Sequence, residues 1–455
     1  MLTRDEAKKL ADQVLSYSRF PECTVSITSS EQAFTRFANN GITTAALVNR
    51  HSVSIASTRD GRSGRTVVND LDDAALARAV QQSEELAAIA PPNPEHRPPL
   101  GPQEFRETND YDEKTALARA PEMLPHIRAV VDTARANKLV AAGLFERTHT
   151  SSAVANKAGL FGFHRSADSK LTTTIRNPEG TSSGWAGLAA TRINEISGAA
   201  LAEAAAQKCL RWKNPKRIEP GKYTVVFEPT ATGDIVHLML QAFNARAAEE
   251  GRTFLSKRGG GTRIGEKMFP EYVTLRTDPF DGRLPSMPWT GGEGGFFGRF
   301  GGGESDHAPV ERVNWIKSGV VENLAYDRYW AEKTGHALVP MTNALFLDGG
   351  DASVEDLIKT VDRGLLVTHF WYIRFVNPQT LQHTGLTRDG LFLIEKGRVS
   401  DPVMNLRFND SPVRLLQNTV KLGRASRMRG LEGASMVAPA LVSTDFTFTS
   451  NSEAV

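Results

Sequence analysis

Along the first half of the chain, apolar positions switch between a helical period and a strict alternation. Residues 4–17 set Ala7, Leu10, Ala11, Val14 and Leu15 on one face at helical spacing. "CTVSITSS", "FTRFANNGITTAAL" and "HSVSIAST" then alternate as half-buried antiparallel strands do, with "NNG" supplying a turn because Asn and Gly tolerate positive φ. "DDAALARAVQQSEELAAIA" predicts a second helix, with Asp72 and Asp73 favouring the positive end of its dipole. The proline-rich connector 91–102 cannot be helix or central strand. A helix over roughly 113–138 follows, then two strands around a turn in "SSAVANKAGLFGFHRSADSKLTTTIRN" and an alanine-rich helix over 195–211.

After the Pro/Gly/basic stretch "WKNPKRIEPGKY" the pattern changes. The strand "YTVVFEP" and a predicted helix over 231–251 lead into short strands and turns. These are "YVTLRTDP", "ERVNWIKSGVVENLAYDRYWAEKTG", "ALFLDGGD", "HFWYIRFVN" and "LFLIEKGRVSDPVMNLRFND". "IKSG" and "EKG" look like hairpin turns. A last helix near "SPVRLLQNTVKLG" and the strand "ALVSTDFTFTS" close the chain. Helices and strands mix without regular βαβ alternation, which predicts an α+β fold. The expected organisation is an N-terminal α+β domain over 1–215 and a β-rich C-terminal domain over 216–455, since 455 residues exceed one compact core.

Charge narrows the function. With 54 basic and 52 acidic side chains the net charge is only +2, so no global field recruits nucleic acid or an anionic membrane. Four cations in "KLGRASRMRG" (Lys421, Arg424, Arg427, Arg429) read as a solvated or carboxylate-binding face. Cys23 and Cys209 lie far apart and look like small core residues, which fits a reducing cytoplasm. No apolar run reaches the length of a membrane span, and the charged first helix lacks a signal peptide's apolar core.

Candidate chemistry is sparse. None of the ten histidines begins an HExxH, and no two lie within five residues of each other. A helix-borne zinc hydrolase needs converging imidazoles and a glutamate to take the proton of the bound water. His237 shares a helix face with Asp234, and "SDHAPVE" adds Asp306, His307 and Glu311, so Asp234, His237 and His307 make a weak candidate metal set. The bland reading is a structural histidine and a solvated loop. No GxSxG elbow is present, and neither "SKRGGGTRIGEK" nor "TGGEGGFFGRFGGGESD" has phosphate-loop spacing. Phe296, Phe297 and Phe300 in the second run suggest a lid or a subunit interface over 290–305, against a plain surface insertion.

Several separated motifs, in order, resemble the TldD/PmbA family, peptidases once described as modulators of DNA gyrase. They are "FTRFANNGITT", "AFNARAAEEGRTFL", "GEKMFPEYVTLRTDP", "LAYDRYWAEKTG" and "LRFNDSPVRLLQN", followed by "VAPALVSTDFTFTS". The resemblance covers the chain from about residue 35 onward. It implies a two-domain protein that joins a TldD–TldE pair around a peptide-binding cavity. The TldD-type subunit carries HExxxH on a helix and a cysteine near its C-terminus as third zinc ligand; the TldE or PmbA type lacks them.

Aligned on Phe243 and Asn244, the HExxxH window falls on residues 232–237. Thr232 then stands for the first histidine, Gly233 for the glutamate, and His237 for the last histidine. The late cysteine falls near "SRMRGLEGASM", which offers Arg427, Met428 and Arg429 but no Cys. The "GGEGGFFGRFGGG" run is longer and richer in glycine than the family's loop there. The resemblance therefore implies a non-catalytic TldE/PmbA-like subunit that binds no cofactor and works with a TldD-like zinc peptidase on peptides or unfolded polypeptides. A homodimer, an autonomous metallopeptidase with a noncanonical site, and a regulatory protein acting on DNA gyrase are the alternatives.

Overall fold

A computed structural model describes residues 1–291, 306–430 and 435–453. The first half opens with α1 (Arg4–Tyr17), followed by β1 (Glu22–Ala38), β2 (Gly41–Arg59) and β3 (Arg62–Val68). The turn "NNG" joins β1 to β2, with Asn39 and Asn40 at φ of 51° and 59°. Helices α2 (Asp73–Ile89), α3 (Glu113–Leu117) and α4 (Ala120–Ala136) come next, then β4 (Val140–Asn156), β5 (Phe161–Arg176), β6 (Ser183–Ala190) and α5 (Gly198–Arg211). The six strands form one antiparallel sheet in the order β3-β2-β1-β4-β5-β6.

Period-two alternation decides which face of this sheet is covered. Cys23, Val25 and Ile27 of β1 meet Ala7, Ala11 and Val14 of α1 and Leu76, Ala79 and Val80 of α2. Farther along the same face, Ala33 and Phe37 meet Met123, Ile127 and Val130 of α4 and Ala202, Ala205 and Cys209 of α5. Both cysteines are buried and unpaired. The opposite face carries Thr24, Ser26, Thr28, Ser30 and Gln32, aligned with Ser54 and Ser52 on β2 and with Ser152, Thr150 and Thr148 on β4. Thr24, Ser26 and Ser54 of this face line a cavity shared with Asn244 and Tyr326 of the second half.

That half begins with β7 (Gly221–Phe227), α6 (Pro229–Val236), a 3-10 turn over His237–Phe243 and α7 (Ala245–Glu249). Then come β8 (Leu275–Thr277), β9 (Val313–Lys317), β10 (Val320–Val321), α8 (Arg328–Thr334), β11 (Leu345–Leu347), α9 (Val354–Ile358) and β12 (Arg363–Val367). The chain finishes with β13 (Phe370–Asn377), β14 (Gln382–Thr387), β15 (Leu391–Glu395), β16 (Arg398–Pro402), β17 (Leu406–Asp410), α10 (Pro412–Gln417), β18 (Thr419–Arg429) and β19 (Ser435–Asn451). Among the described residues these strands make one thirteen-stranded sheet, with β19 pairing β7, β11, β17 and β18. The α+β class expected from the sequence is the observed one. No described helix is long and apolar enough to cross a membrane.

Four expectations need correction. Residues 231–251 are not one helix: the chain tightens at His237 and leaves helical geometry at Asn244, whose neighbour Ala245 donates its N–H to the carbonyl of Ala325. The helix expected over 113–138 is broken near Ala118, and its second part restarts with a proline in the first turn. "DRYWAEKTG" is helix α8, capped by Asp327 and ended by Gly335 in the left-handed region. Finally, the helix near "SPVRLLQNTVKLG" stops at Gln417, and "TVKLG" begins β18.

Candidate functional site

Helix α6 starts at Pro229, whose fixed φ suits a first turn, and lies across β18 and β19. Its window residues are buried, yet they contribute little donor chemistry. Thr232 is fully buried and its Oγ1 has no hydrogen-bond partner. A Cβ placed on Gly233 would stand 2.6 Å from both Cε and Sδ of Met428. The thioether from β18 therefore occupies the space that any side chain at 233 would need, and glycine is what lets the strand approach.

Asp234 is engaged structurally, accepting the N–H of Phe370 at 3.0 Å and so fixing the start of β13. The Nδ1 of His237 lies 2.8 Å from the carbonyl of Gly233. His383 of β14 stands near enough for the two imidazoles to influence each other. Burial, helped by His237, lowers its pKa to about 4, against a backbone bond to Leu381 that raises it. His383 stacks on Phe375 at 4.2 Å, and its buried Nε2 has no partner.

His307 lies elsewhere. It lines a cavity of about 560 Å³ between the two sheets, with Ser26, Ser54, Arg65, Asn244 and Tyr326 among its walls. Its Nε2 is 3.5 Å from Ser26 Oγ, the outer limit of a hydrogen bond, and its backbone is left-handed at φ 49°. Burial, with Arg65 nearby, holds its pKa at about 4, so the ring is neutral. Beside it Asp306 pairs with Arg328 at 3.3 Å, while burial raises the Asp306 carboxyl.

Asp234, His237 and His307 thus do not converge, and the weak metal set read from the sequence is not assembled. One member is used by the backbone of β13 and another faces β1. Among the described residues no three His, Cys, Asp or Glu side chains gather as a metal site. Zinc asks for imidazole, thiolate or carboxylate donors. A buried hydroxyl, a glycine and a thioether packed against it do not fit that ion. Phe296, Phe297 and Phe300 lie outside the described residues.

Other polar groups join the halves of the molecule. Arg427 gives two hydrogen bonds to Asp168 of β5, at 2.6 and 2.9 Å, which bears out a carboxylate-binding role for part of the basic cluster. Arg429 is half-buried close to Asp168 and Glu146, and desolvation lowers its pKa. Ser183 donates to Asp389, whose other oxygen is 3.3 Å from the Nε2 of His369. All three are buried, and the carboxylate sits between hydroxyl and imidazole, so the order is not that of a nucleophile activated by a base. The sequence separations hide these links. Arg427 of β18 reaches Asp168 where β18 packs against the β6 edge of the first sheet.

Three comparisons bear on this arrangement. Residues 220–450 match a family model described as the PmbA/TldA metallopeptidase C-terminal domain. Comparison with curated proteins returns no significant match. The fold is similar to TldE from Thermococcus kodakarensis, with a TM-score of 0.83 and 19% identity over 97% of this chain and 99% of that one. It is also similar to a protein of Thermotoga maritima named as a modulator of a DNA gyrase, with a TM-score of 0.82 and 16% identity over 97% and 100%. A Bacteroides thetaiotaomicron protein similarly named gives 0.81 and 20% over 99% and 100%.

Proposed function

The chain belongs to the PmbA/TldD family, and from that premise we propose that it is a TldE-like, non-catalytic subunit of a metalloprotease. A TldD-like partner supplies the zinc and the general base, and the complex cleaves peptides and unfolded polypeptides. Packing of Met428 against Gly233 is the observation that supports this most directly, because it fills the place where a base would have to project. The likeness to TldE agrees with it. Two unpaired buried thiols suit a reducing cytoplasm.

The test uses the purified chain alone and mixed with an HExxxH-bearing family member. Alone, it is expected to cleave no unfolded substrate and to retain no zinc through chelator dialysis. The mixture is expected to show zinc-dependent peptidase activity above that of the partner by itself. Stoichiometric zinc held by this chain alone would overturn the reading and favour an autonomous metallopeptidase.

A further inference from the structure

We infer that the cavity between the two sheets is a binding site for a small aliphatic monocarboxylate, its carboxylate held on the floor formed by β1, β2 and β3 and its apolar body against the second half. The inference concerns binding by this chain alone and does not depend on the proposed function. The floor is regular because alternation sends every second residue of paired strands to one face. Ser26 of β1 lies beside Ser54 of β2. Two residues along, Thr24, Ala56 and Arg65 form a row across β1, β2 and β3, and Glu22 and Thr58 belong to the next. All of them line the cavity. From Ser26 to Glu22 the floor runs about 13 Å, at about 3.3 Å per residue. A volume of about 560 Å³ is that of a small-molecule pocket.

The acids around the cavity are engaged by the protein itself. Glu22 pairs with His96 at 2.8 Å and Asp306 with Arg328 at 3.3 Å, while Asp327 caps α8 by accepting the N–H of Trp330. The floor adds donors: the Arg65 guanidinium, whose Nε is 2.8 Å from Ser54 Oγ, and the hydroxyls of Thr24 and Ser26. His307 adds an imidazole. It is only 9% exposed, and among the described residues its ring has one hydrogen-bond contact, Ser26 Oγ at 3.5 Å. A largely buried imidazole held so weakly is a polar group that a ligand can complete. Its φ of 49° is a conformation that residues with a Cβ seldom adopt, so the position of this ring is imposed on the chain.

Together these groups select the ligand's charge. A carboxylate accepts from guanidinium, hydroxyl and imidazole alike, and its bond to guanidinium is charge-assisted. An ammonium would meet carboxylates that already have partners. The second half contributes Leu338, Val339, Pro340 and Met341, a run of apolar side chains. A molecule that answers both walls has one carboxylate and an aliphatic body. Unbranched fatty acids and N-blocked aliphatic amino acids share that chemistry.

The experiment is isothermal titration calorimetry of the full chain with octanoate and N-acetyl-leucine, and with octanamide and octylamine as neutral and cationic controls. Both acids are expected to bind saturably at one site, and the two controls about tenfold more weakly or worse, as befits the loss of a charge-assisted bond. Arg65→Gln, at an exposed position, and Ala56→Leu, which fills the middle of the floor, should each weaken octanoate by about tenfold. Their thermal midpoints should stay at the wild-type value. Tighter binding of octanoate would support the inference with fatty acids as the source, and tighter binding of N-acetyl-leucine with N-blocked amino acids. An absence of saturable heat with both acids would overturn it. So would octanamide binding as tightly as octanoate, or an octanoate affinity that neither substitution changes.

Discussion

At Gly233 one missing side chain carries both packing and function. Any Cβ there meets the Met428 thioether at 2.6 Å, so the two residues are coupled across the contact of α6 with β18. Gly233→Ala is expected to destabilise the protein by about 1–3 kcal/mol, the range for overpacking a close contact. Adding Met428→Ala should recover part of that loss in a double-mutant cycle by urea denaturation. Additive effects would show that the contact is not what excludes a side chain at 233. The window itself was legible in the sequence through the family motif, since Thr232 and Gly233 are poor donors on inspection. What occupies the window was not legible, because Met428 reaches it only when β18 folds back under α6. His307 misleads for a similar reason: its neighbours in sequence suggest a metal loop, whereas its neighbours in space are Ser26 and Arg65.

Elements were readable where their own residues fix them. Asn39 and Asn40 announce the β1–β2 hairpin, and alternation names the covered face of the sheet. Helix α8 also had its signals, an Asp cap and a terminal Gly, although flanking strands obscure them. The break at Asn244 has one local mark, the Asn that caps α7 by accepting the N–H of Ala247, but the bridge to Ala325 that turns the chain there has none. Helix-on-sheet contacts are likewise set by glycines whose purpose emerges only in three dimensions. A Cβ on Gly64 of β3 would lie 2.1 Å from the carbonyl oxygen of Ser83 and 2.3 Å from the N of Ala87, both in α2. Gly184 of β6 holds α5 in the same way, 2.1 Å from the carbonyl of Ala205. Backbone cannot yield as a flexible side chain does. Gly64→Ala is therefore expected to displace α2 and cost at least about 3 kcal/mol, seen as a lower denaturation midpoint. An unchanged midpoint would mean that α2 does not sit on β3 this closely.

Over the whole molecule, two sheets meet through polar links: Arg427 with Asp168, Ser183 with Asp389 and His369, and His307 with Ser26. Such an interior makes stability depend on pH in a defined window. Burial holds His307 and His383 at about 4, and it also lowers His126 and His149. In the unfolded chain an imidazole titrates near 6.5. Between the two values the unfolded state binds more protons, so stability is full above about 6.5 and falls as the pH drops toward 4. A shift of that size corresponds to an upper figure on the order of 3 kcal/mol for each of His307 and His383. The carboxylates with lowered pKa, such as Asp281 and Asp389, lose their contribution only at more acid pH. Urea midpoints measured at pH 7.5, 6, 5 and 4.5 should therefore decline in the histidine window. In His307→Asn and His383→Phe variants the decline should be shallower, whatever their stability at pH 7.5. An equally steep decline in both variants would place the proton uptake on other groups and leave these two imidazoles with ordinary pKa values.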